Sequence, residues 1–154
     1  MRLPSAAIVL AVVSLDQALK AFVERTIPVG GSLPLVPPVL FLTNVRNPGI
    51  AFSALPGIPL IVPAAIALTL IFLLFYNKAR WSHRPTASYG VALLAGGAIG
   101  NLIDRVRVGA VIDYLDLRVW PVFNLADAAI TVGAALLILT FAVRPGTQSA
   151  RGDG

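Results

Sequence analysis

"GNLIDRVRVGAVIDY", residues 100–114, decides how the chain is read. It starts where a run apolar enough for a bilayer ends, and within it stand Asn101, Asp104, Arg105, Arg107 and Asp113. A second apolar run follows a few residues later, opens with "FNLAD" at 123–127 and carries Asp127. Hydrophobic residues make up 57% of the 154 residues and charged residues 12%, against about 45–50% and about 25% in soluble domains. A chain this poor in charge sets its carboxylates at the edges of its most apolar segments, and that placement asks for a chemical reason.

Working outward, four apolar segments emerge at about 5–23, 58–76, 88–104 and 122–143. Each is near the ~20 residues that a membrane-spanning helix needs, and the mean hydropathy is +0.84. The expected fold is therefore an α-helical membrane protein with four transmembrane helices, one domain over 1–145 and a disordered tail over 146–154. The first segment carries Arg2 and "AAIVLAVV" like a signal peptide, but it runs on through Asp16, Gln17 and Lys20 with no small-x-small cleavage site, so it reads as a retained helix. Between the first two spans, "SLPLVPPVLFLTNVRN" at 32–47 is rich in Pro and β-branched residues and lacks a helical period. It reads as a small extracytoplasmic β-rich segment on the membrane surface, with a turn at "NPG" 47–49.

Orientation follows from basic residues near helix ends. The loop "NKARWSHRP" at 77–85 holds Lys78, Arg80 and Arg84, so it is expected in the cytoplasm, together with both termini. Segments 24–57 and 105–121 then face outward, although they also carry arginines. The net charge of +5 has no basic run or basic–aromatic stripe behind it, which argues against nucleic acid. There is no cysteine and one histidine, His83. Disulfides, thiolate nucleophiles and Cys- or His-clustered metals are excluded, and the chemistry left belongs to carboxylates, hydroxyls, amides and basic groups.

Several polar groups have an ordinary explanation. Asp16 and Lys20 are four apart on the first helix, the spacing of a self-neutralising pair, although a contact with a reactive region is the sharper reading. Gly96 and Gly100 have the spacing that lets helices approach closely in lipid, which would bring Asn101 near another helix. The pairs Asn101/Asp104 and Asn124/Asp127 each have the i, i+3 spacing of one helix face, and Arg105 shares the face of Asn101. Asp127 near a helix N-terminus also gains from the helix dipole. Ionisable residues at a span nonetheless mark functional sites by default, because their burial is costly.

"GAVIDYLDL" at 109–117 alternates as an extended stretch. Asp113 and Asp116 then point to opposite faces. Asp113 goes with Val111 and Leu115, Asp116 with Ile112 and Tyr114, and the pattern alone does not choose between them; the apolar neighbours favour Asp113. If the third and fourth spans are neighbours, Asp113 and Asp127 can meet at the outer membrane surface. Two close carboxylates share a proton, one acting as base and the other as acid. This is aspartic-protease chemistry and needs no metal or cofactor. The competing reading is a small proton-coupled transporter or channel using the same carboxylates as a relay, but their clustering at one membrane face favours hydrolysis.

The motifs "LDQALK", "NVRNPGIAFS", "GGAIGNLIDRVRVGAVIDY" and "WPVFNLADAAITVG" resemble, in order, the signature blocks of the lipoprotein signal peptidase (signal peptidase II) family. The resemblance covers nearly the whole chain except the termini. It implies an inner-membrane aspartic endopeptidase that cleaves prolipoproteins just before a diacylglyceryl-modified cysteine; a monomer among membrane lipid is the expected state. By motif position it implies Asp113 and Asp127 as the catalytic pair, with Asn101, Arg105 and Asn124 lining the site. Asn47 and Gly49 fall on the outer loop near the substrate, while Asp104, Asp16 and Lys20 fall on supporting positions. The chain departs from the family at "NPGIAFS", where Ile50 replaces an alanine beside Pro48, at Tyr114, where Phe is commoner, and in a short segment between the two aspartates.

Overall fold

The computed structural model describes residues 5–50, 55–56, 65–66, 68–70, 72 and 84–142. The second expected span, residues 77–83 of the basic loop and the 146–154 tail fall wholly or mostly outside these residues. Among the described residues three helices are long and apolar enough to cross a membrane: α1 (Ser5–Thr26), α2 (Pro85–Val108) and α3 (Leu125–Ala142). At 1.5 Å per residue they span roughly 27–36 Å, about the thickness of a bilayer's hydrocarbon core.

The strands are β1 (Ser32–Val36), β2 (Leu40–Asn47), β3 (Gly49–Ile50), β4 (Leu55–Pro56) and β5 (Val111–Asp116). β1, β2 and β5 form an antiparallel sheet in that order, and β3 pairs with β4. The β-rich segment after α1 was expected. That β5, from between α2 and α3, joins it as an edge strand was not, because pairing across some seventy residues leaves no local trace. Val45 lies opposite Asp113 and Asn47 opposite Val111, so Asn47 and Asp113 are diagonal neighbours on one face.

The helix ends differ from the sequence expectation in an instructive way. α2 starts at Pro85, where a missing N–H costs nothing, and runs four residues past 104. It stops at Gly109, which takes a left-handed conformation (φ 76°) and donates its N–H to the Arg105 carbonyl. Arg107 therefore rides on the helix with Asp104 and Arg105 rather than on a loop. α3 begins at Leu125, not 122, because Phe123 exchanges both backbone bonds with Leu115 and so continues the extended chain.

Residue placement on α1 is inside out. Its buried residues are Asp16, Lys20 and Val23, whereas Leu10, Leu15, Leu19 and Phe22 are exposed, as suits a helix whose outer solvent is lipid. At the end of α1, Val23 and Ile27 pack with Tyr114 of β5, joining the helix to the sheet. α2 lies between the other two helices and meets them through glycines. An added Cβ on Gly96 would lie 2.9 Å from Val12 Cβ of α1, and one on Gly133 of α3 would lie 2.6 Å from the Gly90 carbonyl oxygen. Small residues substitute here for the hydrophobic drive that lipid does not supply.

The α2–α3 contact is tightest at Gly97, whose Cβ would strike the Ala126 carbonyl and Ile130. Gly97→Ala is expected to push the helices apart and to lower stability by about 1–3 kcal/mol. Gly109→Ala, which meets no atom within 4 Å but must hold φ 76°, should cost only about 1 kcal/mol. Thermal unfolding in detergent compares the two; equal losses would contradict the packing account.

Candidate active site

The first turn of α3 is the centre of the site. A helix N-terminus presents backbone N–H groups with no partner inside the helix, and each needs an acceptor. Here each has a named acceptor. The Leu125 N–H donates to Tyr114 Oη (3.2 Å) and the Ala126 N–H to Asp16 Oδ1 (3.0 Å). The Asp127 N–H donates to Asn124 Oδ1 (2.8 Å), while the Asn124 N–H returns a bond to Asp127 Oδ2 (3.3 Å). This reciprocal pair is a capping box and accounts for the "N-x-x-D" spacing of the fourth block. β5 and α1 complete the cap.

Asn124 reaches further. Its Nδ2 donates to Asp113 Oδ1 (2.7 Å) and also approaches the Ile112 carbonyl (3.3 Å) and Asn101 Oδ1 (3.2 Å). The other Asp113 oxygen accepts from Asn47 Nδ2 (2.8 Å), and Asp127 Oδ1 accepts from Asn101 Nδ2 (2.8 Å). Two carboxylates are thus joined through one asparagine, each held by amide donors from different elements. Asp113 is buried and Asp127 only partly so. Burial first, and the nearby Asp127 charge as well, push the Asp113 carboxyl up to about 6, against the pull of the Asn47 and Asn124 donors. Burial likewise raises the Tyr114 phenol well above its usual range, so it stays a neutral hydroxyl beside the helix end.

Beneath this pair lies an ion cluster. Lys20 Nζ is 2.7 Å from Asp16 Oδ2, 2.7 Å from Asp104 Oδ2 and 2.9 Å from Asn101 Oδ1. Lys20, Asp16 and Asp104 are wholly buried. An ammonium has three protons and no acceptor, and all three protons are used. Asp104 also accepts from the Ile112 N–H (3.2 Å) and from Gln17 Nε2 (3.0 Å). Gly100 makes the approach of Asp16 feasible: a Cβ there would come within 2.7 Å of Asp16 Oδ2.

Of the ten residues singled out by sequence, Asn47, Asp113, Asn101, Asn124, Asp127, Lys20, Asp16 and Asp104 belong to this one network. Arg105 borders it, half-buried, with Nη1 donating to the Asn101 carbonyl (3.3 Å). Gly49 sits in β3 opposite Pro56, two residues beyond Asn47. Asp116 is buried as well, but on other partners: Thr43 Oγ1 (2.9 Å) and the Arg118 N–H (2.8 Å). Burial alone could not have separated the two strand aspartates; their partners do. Sequence reasoning gave no role to Gln17 or to the Tyr114 hydroxyl. A lone amide in the middle of a span was the available signal for Gln17, and the unusual Tyr was the signal for the other. Among the described residues no group of His, Cys, Asp or Glu could hold a metal ion.

The family profile described as signal peptidase (SPase) II matches residues 8–143. The lipoprotein signal peptidase of Halothermothrix orenii is 48% identical over 133 residues, covering 86% of this chain and 90% of that one. The lipoprotein signal peptidase of Pelotomaculum thermopropionicum is 49% identical over 132 residues, covering 84% and 86%. Among solved structures, a bacterial membrane enzyme determined by the in meso method at 2.3 Å resolution superposes with a TM-score of 0.85 at 29% identity, covering 97% of this chain and 94% of that one.

Removing one member of the buried cluster leaves a charge without a partner. Lys20→Met is expected to cost about 3–5 kcal/mol. Lys20→Met combined with Asp104→Asn removes one charge of each sign and should recover much of that loss. Unfolding in detergent measures both, and a double variant no more stable than the single would contradict the charge account.

Proposed function

The chain belongs to the signal peptidase II family, and on that premise we propose that Asp113 and Asp127 are the aspartic pair with which it removes signal peptides from prolipoproteins. Membership makes it a membrane aspartic peptidase of lipoprotein processing. Nothing in the family match supports the transporter reading. The observation that carries the residue assignment is Asn124, which donates its side-chain amide to Asp113 and exchanges two hydrogen bonds with Asp127. In these contacts both carboxylates are held by amide and backbone donors.

In the proposed reaction the pair holds one proton. The ionised carboxylate takes a proton from water as the water oxygen attacks the scissile carbonyl. The protonated carboxyl donates to the carbonyl oxygen. Collapse of the tetrahedral intermediate breaks the C–N bond, and the departing amine takes a proton from the pair. The bond cut is the one before the diacylglyceryl-modified cysteine, as the resemblance implies. Asn101, Asn124 and Asn47 orient the carboxylates. Arg105 lies at the border of the pair, and Gly49 borders the substrate side. Asp16, Lys20 and Asp104 support the arrangement. The site is proposed to open on the outer face of the inner membrane, with the termini in the cytoplasm, in keeping with the basic 77–85 loop.

Asp113→Asn and Asp127→Asn are each expected to abolish cleavage of a lipidated pro-peptide by the purified enzyme, since an amide keeps the shape but cannot act as base. Asp116→Asn should keep most of the activity; if it were as inactive as Asp113→Asn, the assignment would fall. The sign of the pH dependence follows from Asp113. Its proton stays on up to about pH 6 and leaves above that, so the singly protonated pair declines on the alkaline side, and on the acid side as a second proton binds. A bell-shaped kcat/KM profile is expected, with its alkaline midpoint within about one unit of that value.

Topology has a separate test. A cysteine placed at Ser32 of β1 should react with an impermeant thiol reagent on intact spheroplasts, whereas one at Ser82 should react only after permeabilisation. The native chain has no cysteine, so each label reports one position. The reverse pattern would put the aspartates in the cytoplasm and end the proposal for an outward-facing site.

A further inference from the structure

Asn101 touches Asp127, and the orientation of its side chain decides what Asp127 meets. An asparagine amide has two nearly isosteric flips, one presenting NH2 and the other C=O. On the side away from Asp127, Asn101 Oδ1 lies 2.9 Å from Lys20 Nζ and 3.2 Å from Asn124 Nδ2. A lysine ammonium can only donate. The Asn124 amide is itself fixed, because its Oδ1 accepts from the Asp127 backbone N–H. Both groups therefore require an acceptor, and the flip that turns NH2 towards Lys20 is excluded. Asn101 is left with its Nδ2 aimed at Asp127 Oδ1, 2.8 Å away.

We propose that Lys20 is a positioning residue for the reaction: by holding Asn101 in one flip it keeps a donor on Asp127 and so selects Asp127 as the ionised member of the pair. This rests on the proposed catalytic pair and goes beyond support of the fold. Lys20 does not contact either aspartate of the pair in any hydrogen bond or ion pair described here. Its hydrogen-bonded link to the pair runs through one amide, that of Asn101. A hydrogen bond to the charged form of an acid favours that form. Asp113 also accepts two amides, from Asn47 and Asn124, but it is buried whereas Asp127 is only partly so. Burial favours the neutral acid, so the proton resides on Asp113 and Asp127, with the Asn101 donor on it, is the base. The charged groups around this amide and Asp127 are Asp16 and Lys20 from α1, Asp104 and Arg105 from α2, and Asp113 from β5. Asp16 and Asp104 together outweigh Lys20 by one negative charge, so the cluster as a whole does not attract a proton away from Asp127. The donor supplied by Asn101 favours its ionised form instead.

The test uses the full-length enzyme in detergent with a lipidated pro-peptide. The double variant Lys20→Met/Asp104→Asn keeps the net charge of the buried cluster while it removes the anchor of Asn101. Asp104→Asn alone keeps the anchor. The double variant is expected to lose about tenfold in kcat with little change in KM, as for loss of one hydrogen bond to a charged group. The acid limb of its pH profile should move up by about one unit. Asp104→Asn, which keeps the anchor and removes one negative charge, should not move the acid limb up. A folded double variant with the wild-type limb would overturn the proposal, because a merely structural lysine would lower the amount of active enzyme without moving the limb. Should the double variant not fold, Asn101→Ala decides. It leaves Lys20 bound to Asp16 and Asp104, and it must show the same upward move of the acid limb; an unmoved limb there overturns the proposal as well. Failure of the catalytic pair would be seen separately, as activity surviving in Asp113→Asn or Asp127→Asn.

Discussion

The rest of the structure depends on one buried ammonium group. Lys20 Nζ is wholly buried and places its three protons on Asp16, Asp104 and Asn101. Moving a bare charge out of water costs several kcal/mol even after relaxation, so the helices are constrained to deliver all three acceptors at once. Asp16 comes from the same helix one turn away, and Asp104 and Asn101 from neighbouring turns of α2. Any rotation or slip of α1 against α2 by a fraction of a turn would strand a proton or a carboxylate. The interaction therefore fixes the relative register of two helices whose lipid-facing sides could not, since apolar side chains gain no hydrophobic drive from meeting each other in lipid.

From that point the constraint spreads to α3 and the sheet. Asp16, held by Lys20 through one oxygen, uses the other to accept the Ala126 N–H. Asp104 accepts the Ile112 N–H and so ties β5 to α2. Tyr114 of β5 then reaches the Leu125 N–H. The open end of α3 is closed by two other elements, α1 and β5, together with its own capping box, and Asp127 in its first turn is placed by all of them. Here the need to satisfy backbone N–H groups and the need to place a carboxylate of the proposed pair have the same solution.

The two proposed catalytic carboxylates are treated differently from the supporting ones. Asp16 and Asp104 face a cation and have no role that requires a change of protonation. Asp113 and Asp127 are bonded to amides and backbone N–H groups, which stabilise a carboxylate less than an ion pair does and leave protonation within reach. Burial then raises Asp113 to about 6, into the range where a proton can be held and released. The sequence places all four aspartates in similar apolar settings; the chemical division between them is made by their partners.

Sequence alone determined much of this protein. Apolar length identified the spans α1, α2 and α3, because a bilayer demands about 20 such residues wherever they lie. The paired "N-x-x-D" spacing was legible because a capping box and a shared helix face are local properties. The Pro- and β-branched-rich stretch read as strands for the same reason. What only the tertiary structure decided is long-range. The pairing of β2 with β5 brings Asn47 diagonally to Asp113, and no local pattern encodes which of two strands will meet. The choice between Asp113 and Asp116 could not come from alternation, since both faces of β5 are buried. Asp16 and Lys20 read equally well as a self-contained i, i+4 pair. Their reach to α2 and α3 follows from glycines that let backbones approach, and the consequence of that approach depends on the partner helix, which sequence spacing does not specify.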